Sequence, residues 1–140
     1  MTRDAITTLF ERRRLAYERQ DATTLAADYA VDCTIESPSG GVHRGREAAA
    51  RVLRAVFDGL NVKVTQESLL IDGDRVAQTI WIEGADVGQF LGLPPTGKSF
   101  RLPAVFLYTL ANGEIAAERR IYDFTGLLVQ VGLLKAKPAV

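Results

Sequence analysis

The chain has 140 residues, and its 17 Lys plus Arg balance 17 Asp plus Glu; 47% apolar and 24% charged content is typical of a globular domain and excludes a disordered chain. A formal net charge of zero provides no long-range field that would recruit nucleic acid or a membrane surface. Cys33 is the only cysteine, which excludes an intramolecular disulfide framework and a zinc site built from several thiolates.

The length suits one hydrophobic core, so we expect a single domain spanning residues 1–140. The N-terminal residues contain no apolar run of the kind that a secretory signal needs, and no segment is apolar enough over the length of a bilayer. We therefore expect a cytoplasmic protein that binds neither nucleic acid nor membranes.

Helices are predicted in the first half of the chain. Residues 4–20 and 46–60 carry apolar side chains at the spacing of amphipathic helices. Asp21 is a suitable N-cap for a second helix over 21–30. CTIES at 33–37 reads as a short strand, ended by a proline and a pair of glycines.

From residue 61 onward the apolar period changes to two, which predicts strands. Asp72-Gly73-Asp74 and Asn112-Gly113 are hairpin turn sequences. GQFLGLPPTGK at 88–98 is rich in turn residues and is expected to form a rim over a cavity mouth. The predicted strands cover residues 61–71, 75–83, 100–110 and 114–124.

Three helices followed by a run of strands predict an α+β domain. The apolar helix faces need a partner surface, and a curved antiparallel or mixed sheet folded over them would supply it. Such a cone leaves a cavity between helices and sheet, a common position for a small-molecule site.

This order of elements, with four local stretches, resembles the SnoaL-like polyketide cyclase and ester-cyclase-like family of the nuclear transport factor 2-like superfamily. The stretches are ERQDATTLAADYAVDCTIESP, HRGREAA, GADVGQFLGLPPTGKSF and NGEIAAERRIYDFTGLLVQVG. The resemblance implies a cone-shaped fold, a homodimer that associates through the sheet, and ring closure by an intramolecular aldol step without metal or organic cofactor. It also implies a carboxyl group in an apolar cavity, where burial raises its pKa toward neutrality.

The chain departs from the relatives in three places. The cyclase histidine falls near Phe106, while the sole histidine, His43, lies in a loop. The ketosteroid isomerase carboxylate falls near Ser37 or, with a slip of register, Glu36. The Asp-Arg-Asp set of an epoxide-hydrolase-type relative is also missing, since RVAQTIWIE contains no Arg-x-Asp.

Asp123 is the remaining candidate for the catalytic acid or base, because the resemblance aligns it with the aspartate that precedes the GLLxQxG-type tail. The resemblance also allows the cyclase acid to fall three residues earlier, at Arg120, and this chain would then lack that acid. Side chains alternate along a strand, so Arg119 and Asp123 share one face and Glu118, Arg120 and Tyr122 the other. An inward Arg120 would need Glu118 or an anionic ligand as its partner. The sequence alone does not decide which of these two faces points into the cavity, because a β-bulge would exchange them.

Arg120 and Tyr122 are predicted substrate-binding residues, with the aromatic strand residues as cavity walls: Trp81, Phe106, Tyr108 and Phe90. The leading hypothesis is a cofactor-independent cyclase or isomerase acting on a small apolar, polyketide-like carbonyl compound. A non-catalytic binding cone and a purely structural domain are the alternatives. A buried Arg120–Glu118 pair would favour binding, and an isolated carboxyl group would favour the enzyme.

Overall fold

The structure, a computed structural model, describes residues 1–136; the predicted domain end at residue 140 lies outside this part. The described residues form four helices and six strands. The helices are α1 (Arg3–Glu18), α2 (Ala22–Ala26), α3 (Arg46–Leu60) and α4 (Phe124–Gln130). The strands are β1 (Tyr29–Ser37), β2 (Gly41–Arg44), β3 (Lys63–Asp72), β4 (Arg75–Ala85), β5 (Ser99–Ala111) and β6 (Glu114–Tyr122).

The strands form one mixed sheet in the order β2-β1-β6-β5-β4-β3. β1 runs parallel to β6, and the other neighbouring strands are antiparallel. The helices cover the inner face of this sheet, as the shared core of α1, α2, α3 and the central strands shows. The predicted α+β arrangement of helices on a mixed sheet is confirmed.

Local sequence explains most element boundaries. The Thr2 hydroxyl accepts a hydrogen bond from the backbone N–H of Ala5 and begins α1. α3 ends at Asn61 in the left-handed conformation, with φ of 46°. The turn between β5 and β6 needs positive φ at both central residues, and Asn112 (φ 52°) and Gly113 (φ 78°) adopt it at little steric cost.

Several element boundaries shift by one or two residues, and three differences from the sequence prediction affect the topology or the site. The second helix stops at Ala26 and Tyr29 begins β1, because Tyr29 pairs with Ile115 of β6. β2 was not predicted; its four residues pair only with β1, and three of them are exposed. The last strand ends at Tyr122, and the helix α4 follows it.

The core has two parts. The larger part lies between α1, α2, α3 and the central strands, and includes Phe10 against Tyr108 with ring centroids 4.9 Å apart. The smaller part gathers Leu60, Phe100 and Leu127 where α4 folds over the sheet. Within residues 1–136, no helix combines the length and apolar composition that a membrane crossing requires.

A candidate ligand cavity

A cavity of about 70 Å³ lies between α1, α3 and the inner face of the sheet, and α4 closes one side of it through Leu127. Its wall is predominantly apolar, which is typical of small-molecule sites. The partly exposed wall residues, among them Val56 and Phe90, mark the side that meets solvent. The lining residues are Tyr17, Ser39, Leu53, Val56, Phe57, Leu60, Val62, Val64, Ile82, Phe90, Phe100, Leu102, Phe106, Arg120, Tyr122 and Leu127.

A β-bulge in β6 decides which of its side chains reach the cavity. The pairing register with β5 advances from Ile115 directly to Ala117, so Ala116 is the extra residue. Ile115 is fully buried before the bulge, and after it the buried positions become Glu118 (2% exposed) and Arg120 (7% exposed). The bulge therefore turns the even-numbered residues inward.

Two of the lining side chains present buried polar atoms that have no hydrogen-bond partner. In residues 1–136, the buried atoms without a partner are Arg13 Nε, Tyr17 Oη, Asp86 Oδ1 and Arg120 Nη2. Tyr17 and Arg120 are the two of these residues that line the cavity. A buried polar group without a partner costs about 1–3 kcal/mol, so this pair is compatible with a site that a ligand oxygen completes.

The other side of the Arg120 guanidinium is held by a buried carboxylate. Arg120 Nε donates to Glu118 Oε2 at 2.7 Å, and the Tyr29 hydroxyl donates to Glu118 Oε1 at 2.8 Å. Arg13 Nη2 in turn lies 3.2 Å from the Tyr29 hydroxyl oxygen. Both carboxylate oxygens of Glu118 are therefore occupied, and its side chain is fully buried.

Protonation follows from this pairing. Burial raises the pKa of the Glu118 carboxyl, but the charges of Arg120 and Arg13 outweigh it, so the pKa lies below its ordinary value of 4.5. Glu118 is therefore ionised at neutral pH and already hydrogen-bonded. Burial raises the pKa of the Tyr17 hydroxyl, and the Glu118 charge acts in the same direction. The Arg120 charge and the neighbouring Arg13 guanidinium oppose them without reversing the shift, so Tyr17 stays neutral.

The arrangement can bind an oxygen atom and stabilise negative charge on it. Arg120 supplies a positively charged donor and Tyr17 a neutral hydroxyl, both in a largely apolar surround where electrostatic interactions are strong. The described part of the lining includes no Asp, Glu or His. Stabilisation of an oxyanion is therefore within its chemistry, and proton abstraction by a cavity carboxylate is not.

A second polar pair lies at the edge of the cavity. The hydroxyl oxygens of Tyr122 and Ser39 are 2.9 Å apart, and both side chains are partly buried. Tyr122 follows Arg120 by two residues on the same strand face, a separation of about 7 Å. The polar groups of the wall are thus divided between an inner position and an outer one.

Asp123 does not occupy the inward position that the catalytic prediction requires. Its side chain is exposed and accepts a hydrogen bond of 2.8 Å from the backbone N–H of Gly126, which makes it the N-cap of α4. Arg119, which was grouped with it, is also exposed. Asp123 is absent from the lining because the strand has ended and the bulge has directed Arg120 and Tyr122 inward.

The predicted substrate-binding residues divide into two groups. Arg120, Tyr122 and Phe106 line the cavity, and the Arg120 guanidinium lies 5.0 Å from the centre of the Phe106 ring. Trp81 instead lies on the outer face of the sheet under the Arg101 guanidinium, at 3.8 Å from the ring centre. Tyr108 faces inward but is buried against Phe10, outside the lining.

Sequence reasoning missed Tyr17 and Ser39 as site residues. Tyr17 lies within the amphipathic helix predicted at residues 4–20, and apolar spacing gives no sign of an unpaired hydroxyl. His43 lies on β2, outside the lining. Among the residues that the structure describes, no three His, Cys, Asp or Glu side chains come together as a metal site would need.

Comparisons of the sequence with known proteins identify its relatives. The model of the SnoaL-like polyketide cyclase family matches residues 7–131. Nogalonic acid methyl ester cyclase from Streptomyces nogalater is 31% identical over 107 residues, which cover 75% of this chain and 78% of that protein.

Solved structures agree on the fold. TsrD from Streptomyces laurentii has a TM-score of 0.82 at 24% identity and covers 96% of this chain and 99% of its own. A protein with a ketosteroid isomerase-like fold from Catenulispora acidiphila DSM 44928, solved with trimethylamine, has a TM-score of 0.75 at 23% identity and covers 99% and 100%. The cone-shaped fold that the sequence resemblance predicted is confirmed.

Proposed function

The chain belongs to the SnoaL-like polyketide cyclase family, and we propose that it is a cyclase-type enzyme that binds a small apolar ketone by its carbonyl oxygen. The observation that carries the proposal is the pair of unpaired donors, Arg120 Nη2 and Tyr17 Oη, in the wall of an apolar cavity. Membership of the family supports a cyclase role. The name of the Streptomyces nogalater relative, nogalonic acid methyl ester cyclase, supports a carbonyl-bearing substrate.

The proposed chemistry is stabilisation of an enolate. A carbon next to the bound carbonyl gives a proton to water at the cavity mouth, and the charge that develops on the oxygen is stabilised by Arg120 and Tyr17. The enolate carbon then bonds to a second carbonyl carbon of the same molecule, and the new alkoxide takes a proton. Nothing is oxidised or reduced, and no cavity carboxylate takes part.

The charge balance favours a neutral ligand oxygen over a carboxylate. Arg13 and Arg120 are positive, Glu118 and Asp28 are negative, and each guanidinium contacts one of the two carboxylates. Arg12 also contacts Asp28, but its side chain is half exposed and solvent screens its charge. The four charges in or bordering the interior then sum to zero, so an anionic ligand would add an uncompensated charge there. A ketone adds none, and its oxygen becomes charged only as the enolate forms.

The binding test uses two probes of the same shape, acetophenone and α-methylstyrene, which differ in a carbonyl oxygen and a methylene group. Because the cavity of about 70 Å³ is smaller than either probe, the ring is expected to extend into its open side. Tyr17→Phe removes one of the two donors, so it should weaken acetophenone binding about tenfold, or ~1.4 kcal/mol. Binding of α-methylstyrene should be unchanged. Affinities are measured by ligand-observed NMR, and the greater hydrophobicity of the alkene cancels when variants are compared.

Tyr108→Phe is the matched control, because it makes the same change in a buried tyrosine outside the lining. It should leave the ratio of the two dissociation constants unchanged. If Tyr17→Phe also leaves that ratio unchanged, the carbonyl oxygen does not bind at Tyr17 and the proposal fails.

A second candidate function is binding without turnover. It is favoured by the two hydrogen bonds that occupy Glu118, since the structure then offers no base in the cavity. Exchange of the methyl protons of acetophenone in D2O, followed by NMR, separates the two functions. An enzyme that stabilises the enolate accelerates this exchange over buffer, and Tyr17→Phe reduces the acceleration. Binding without any acceleration would favour the second candidate.

We also propose that the protein is a homodimer that associates through the outer face of the sheet. This face carries apolar side chains that are wholly or partly exposed, including Leu70 (62%) and Ile121 (45%). Sedimentation should show a dimer, and Ile121→Asp should shift it toward monomer. A wild-type monomer at high protein concentration would contradict this proposal.

A further inference from the structure

The proposed carbonyl site depends on how one guanidinium is oriented. Arg120 lines the cavity, its Nη2 has no partner, and its Nε is bound to Glu118 at 2.7 Å. The Glu118 carboxylate would turn about its last bond if only one oxygen were bound. The Tyr29 hydroxyl binds the other oxygen at 2.8 Å and fixes the carboxylate at two points.

The hydrogen bonds of Tyr29 have a defined direction. Its oxygen receives a hydrogen bond from Arg13 Nη2 at 3.2 Å, and a guanidinium can only donate. The single hydroxyl proton of Tyr29 is therefore available for Glu118. Tyr29 is fully buried, so water does not compete for this proton.

Arg13 is itself fixed from several directions. Its Nη1 donates to the Leu25 carbonyl oxygen at 3.0 Å and lies 3.1 Å from Asp28 Oδ2. Its guanidinium lies between 5.1 and 6.0 Å from the ring centres of three tyrosines, one of which is Tyr29. The side chain is buried, at 2% exposed.

We infer that Tyr29 and Arg13 are positioning residues, which act through Glu118 to hold Arg120 Nη2 toward the ligand oxygen. The chain of contacts runs from α1 through β1 to β6, and Arg13, Tyr29 and Glu118 are all outside the lining. Arg13 also lies 6.0 Å from the ring centre of Tyr17, so it adjoins the site at that second point. This inference rests on the proposed function, because it assumes that a carbonyl oxygen binds at Arg120 and Tyr17.

The test is Tyr29→Phe, with acetophenone and α-methylstyrene as probes and Tyr108→Phe as the control. Tyr108 has the same buried side chain and also faces Arg13, but it is bonded to Gln78 rather than to Glu118. Tyr29→Phe should weaken acetophenone binding about fivefold and leave α-methylstyrene unchanged, whereas Tyr108→Phe should weaken neither. General loosening of the fold would weaken both probes alike.

The outcomes separate the inference from the function on which it rests. Equal weakening of both probes in Tyr29→Phe, or no weakening of either, would overturn the positioning role while Tyr17→Phe still reports on carbonyl binding. If Tyr17→Phe fails to discriminate between the probes, the proposed function and the inference fall together.

A second variant covers the case in which Tyr29→Phe does not fold. Asp28→Asn weakens the hold on Arg13 from a partly accessible position, since the Asp28 side chain is 9% exposed. It should change the ratio of dissociation constants in the same direction, about twofold. An unchanged ratio in a folded Asp28→Asn protein, with Tyr29→Phe unfolded, would count against the inference.

Discussion

The buried polar network around Glu118 and the cavity beside it contain the same kinds of side chain, but they differ in whether the polar atoms are hydrogen-bonded. In the network, Tyr29 and Glu118 have every side-chain oxygen hydrogen-bonded. In the cavity wall, Tyr17 Oη and Arg120 Nη2 are equally buried but have no partner. Paired and unpaired groups meet within one side chain, Arg120, whose Nε is bound to Glu118. Arg13 Nε is also without a partner although Arg13 lies outside the lining, so an unpaired atom marks the site only where the cavity wall adjoins it.

The comparison also separates stability from function. Removing a group from the network should destabilise the protein, because it leaves a charge or a polar atom without its partner. Removing an unpaired group from the wall should cost little stability but should weaken ligand binding.

The largest effect is expected at the centre of the network. Glu118→Gln removes the charge that faces Arg120 and Arg13, and it should lower the free energy of unfolding by about 3–5 kcal/mol. Glu114→Gln is the control on the same strand, because its ion pair with Arg46 is 41% exposed on the Glu114 side. An exposed pair contributes about 0–1 kcal/mol, and urea unfolding measures both variants. If both variants lost the same free energy of unfolding, the buried network would be no more important for stability than a surface ion pair.

Acid should weaken the network in a defined range of pH. Because the pKa of Glu118 in the folded state lies below its ordinary value of 4.5, the carboxylate contributes stability above pH 4.5. That contribution is lost as the pH falls through the folded-state pKa. The gap in unfolding free energy between wild type and Glu118→Gln should therefore be constant near neutrality and narrow below pH 4.5. Urea unfolding across this range checks it, and a gap that widens in acid would contradict it.

A smaller effect is expected at the end of β6, where Asp123 caps α4. Asp123→Ala removes the hydrogen bond to Gly126 and should cost about 1 kcal/mol, while Asp123→Asn should cost less because Asn is also a good N-cap. Thermal unfolding measures the loss. Neither variant should change the ratio of acetophenone to α-methylstyrene affinity. Asp123→Asn should also leave the exchange of the acetophenone methyl protons unchanged, and a slower exchange in this variant would support the catalytic role predicted for this carboxylate.

The smallest effect on stability is expected at Tyr17. The prediction there concerns whether the free energy of unfolding rises or falls. Tyr17→Phe removes a buried hydroxyl without a partner, so the free energy of unfolding should be unchanged or raised by up to about 1 kcal/mol. Tyr108→Phe breaks a hydrogen bond to Gln78 and should lower it. Denaturant unfolding of the two variants side by side gives the comparison. A loss in Tyr17→Phe as large as that in Tyr108→Phe would show that the Tyr17 hydroxyl is paired in solution.

Much of the fold could be predicted from sequence, because most helices, strands and turns depend on the pattern of neighbouring residues. The bounds of α3, residues 46–60, were predicted without error, since its apolar stripe is uninterrupted and Gly45 precedes it. The hairpin at Asn112-Gly113 follows from the left-handed conformations that these two residues accept. The exposed strand β2 was missed because its side chains bury almost no apolar surface and it pairs with one neighbour only.

The site could be predicted only in part, because one extra residue in a strand changes which side chains face the cavity. Alternation along β6 correctly grouped Glu118, Arg120 and Tyr122, but the bulge at Ala116 decided that this group faces inward. The alanine at position 116 is not a residue type that predicts a bulge. The pairing of Tyr29 with Glu118 joins residues 89 positions apart, and such a contact leaves no trace in a local pattern.

The most direct test of the central claim is a crystal structure of the protein with acetophenone. The account predicts that the carbonyl oxygen lies within hydrogen-bond distance of both Arg120 Nη2 and Tyr17 Oη, with the ring against the apolar wall. A carbonyl oxygen bound at Tyr122 and Ser39, with the two inner donors still unpaired, would contradict it.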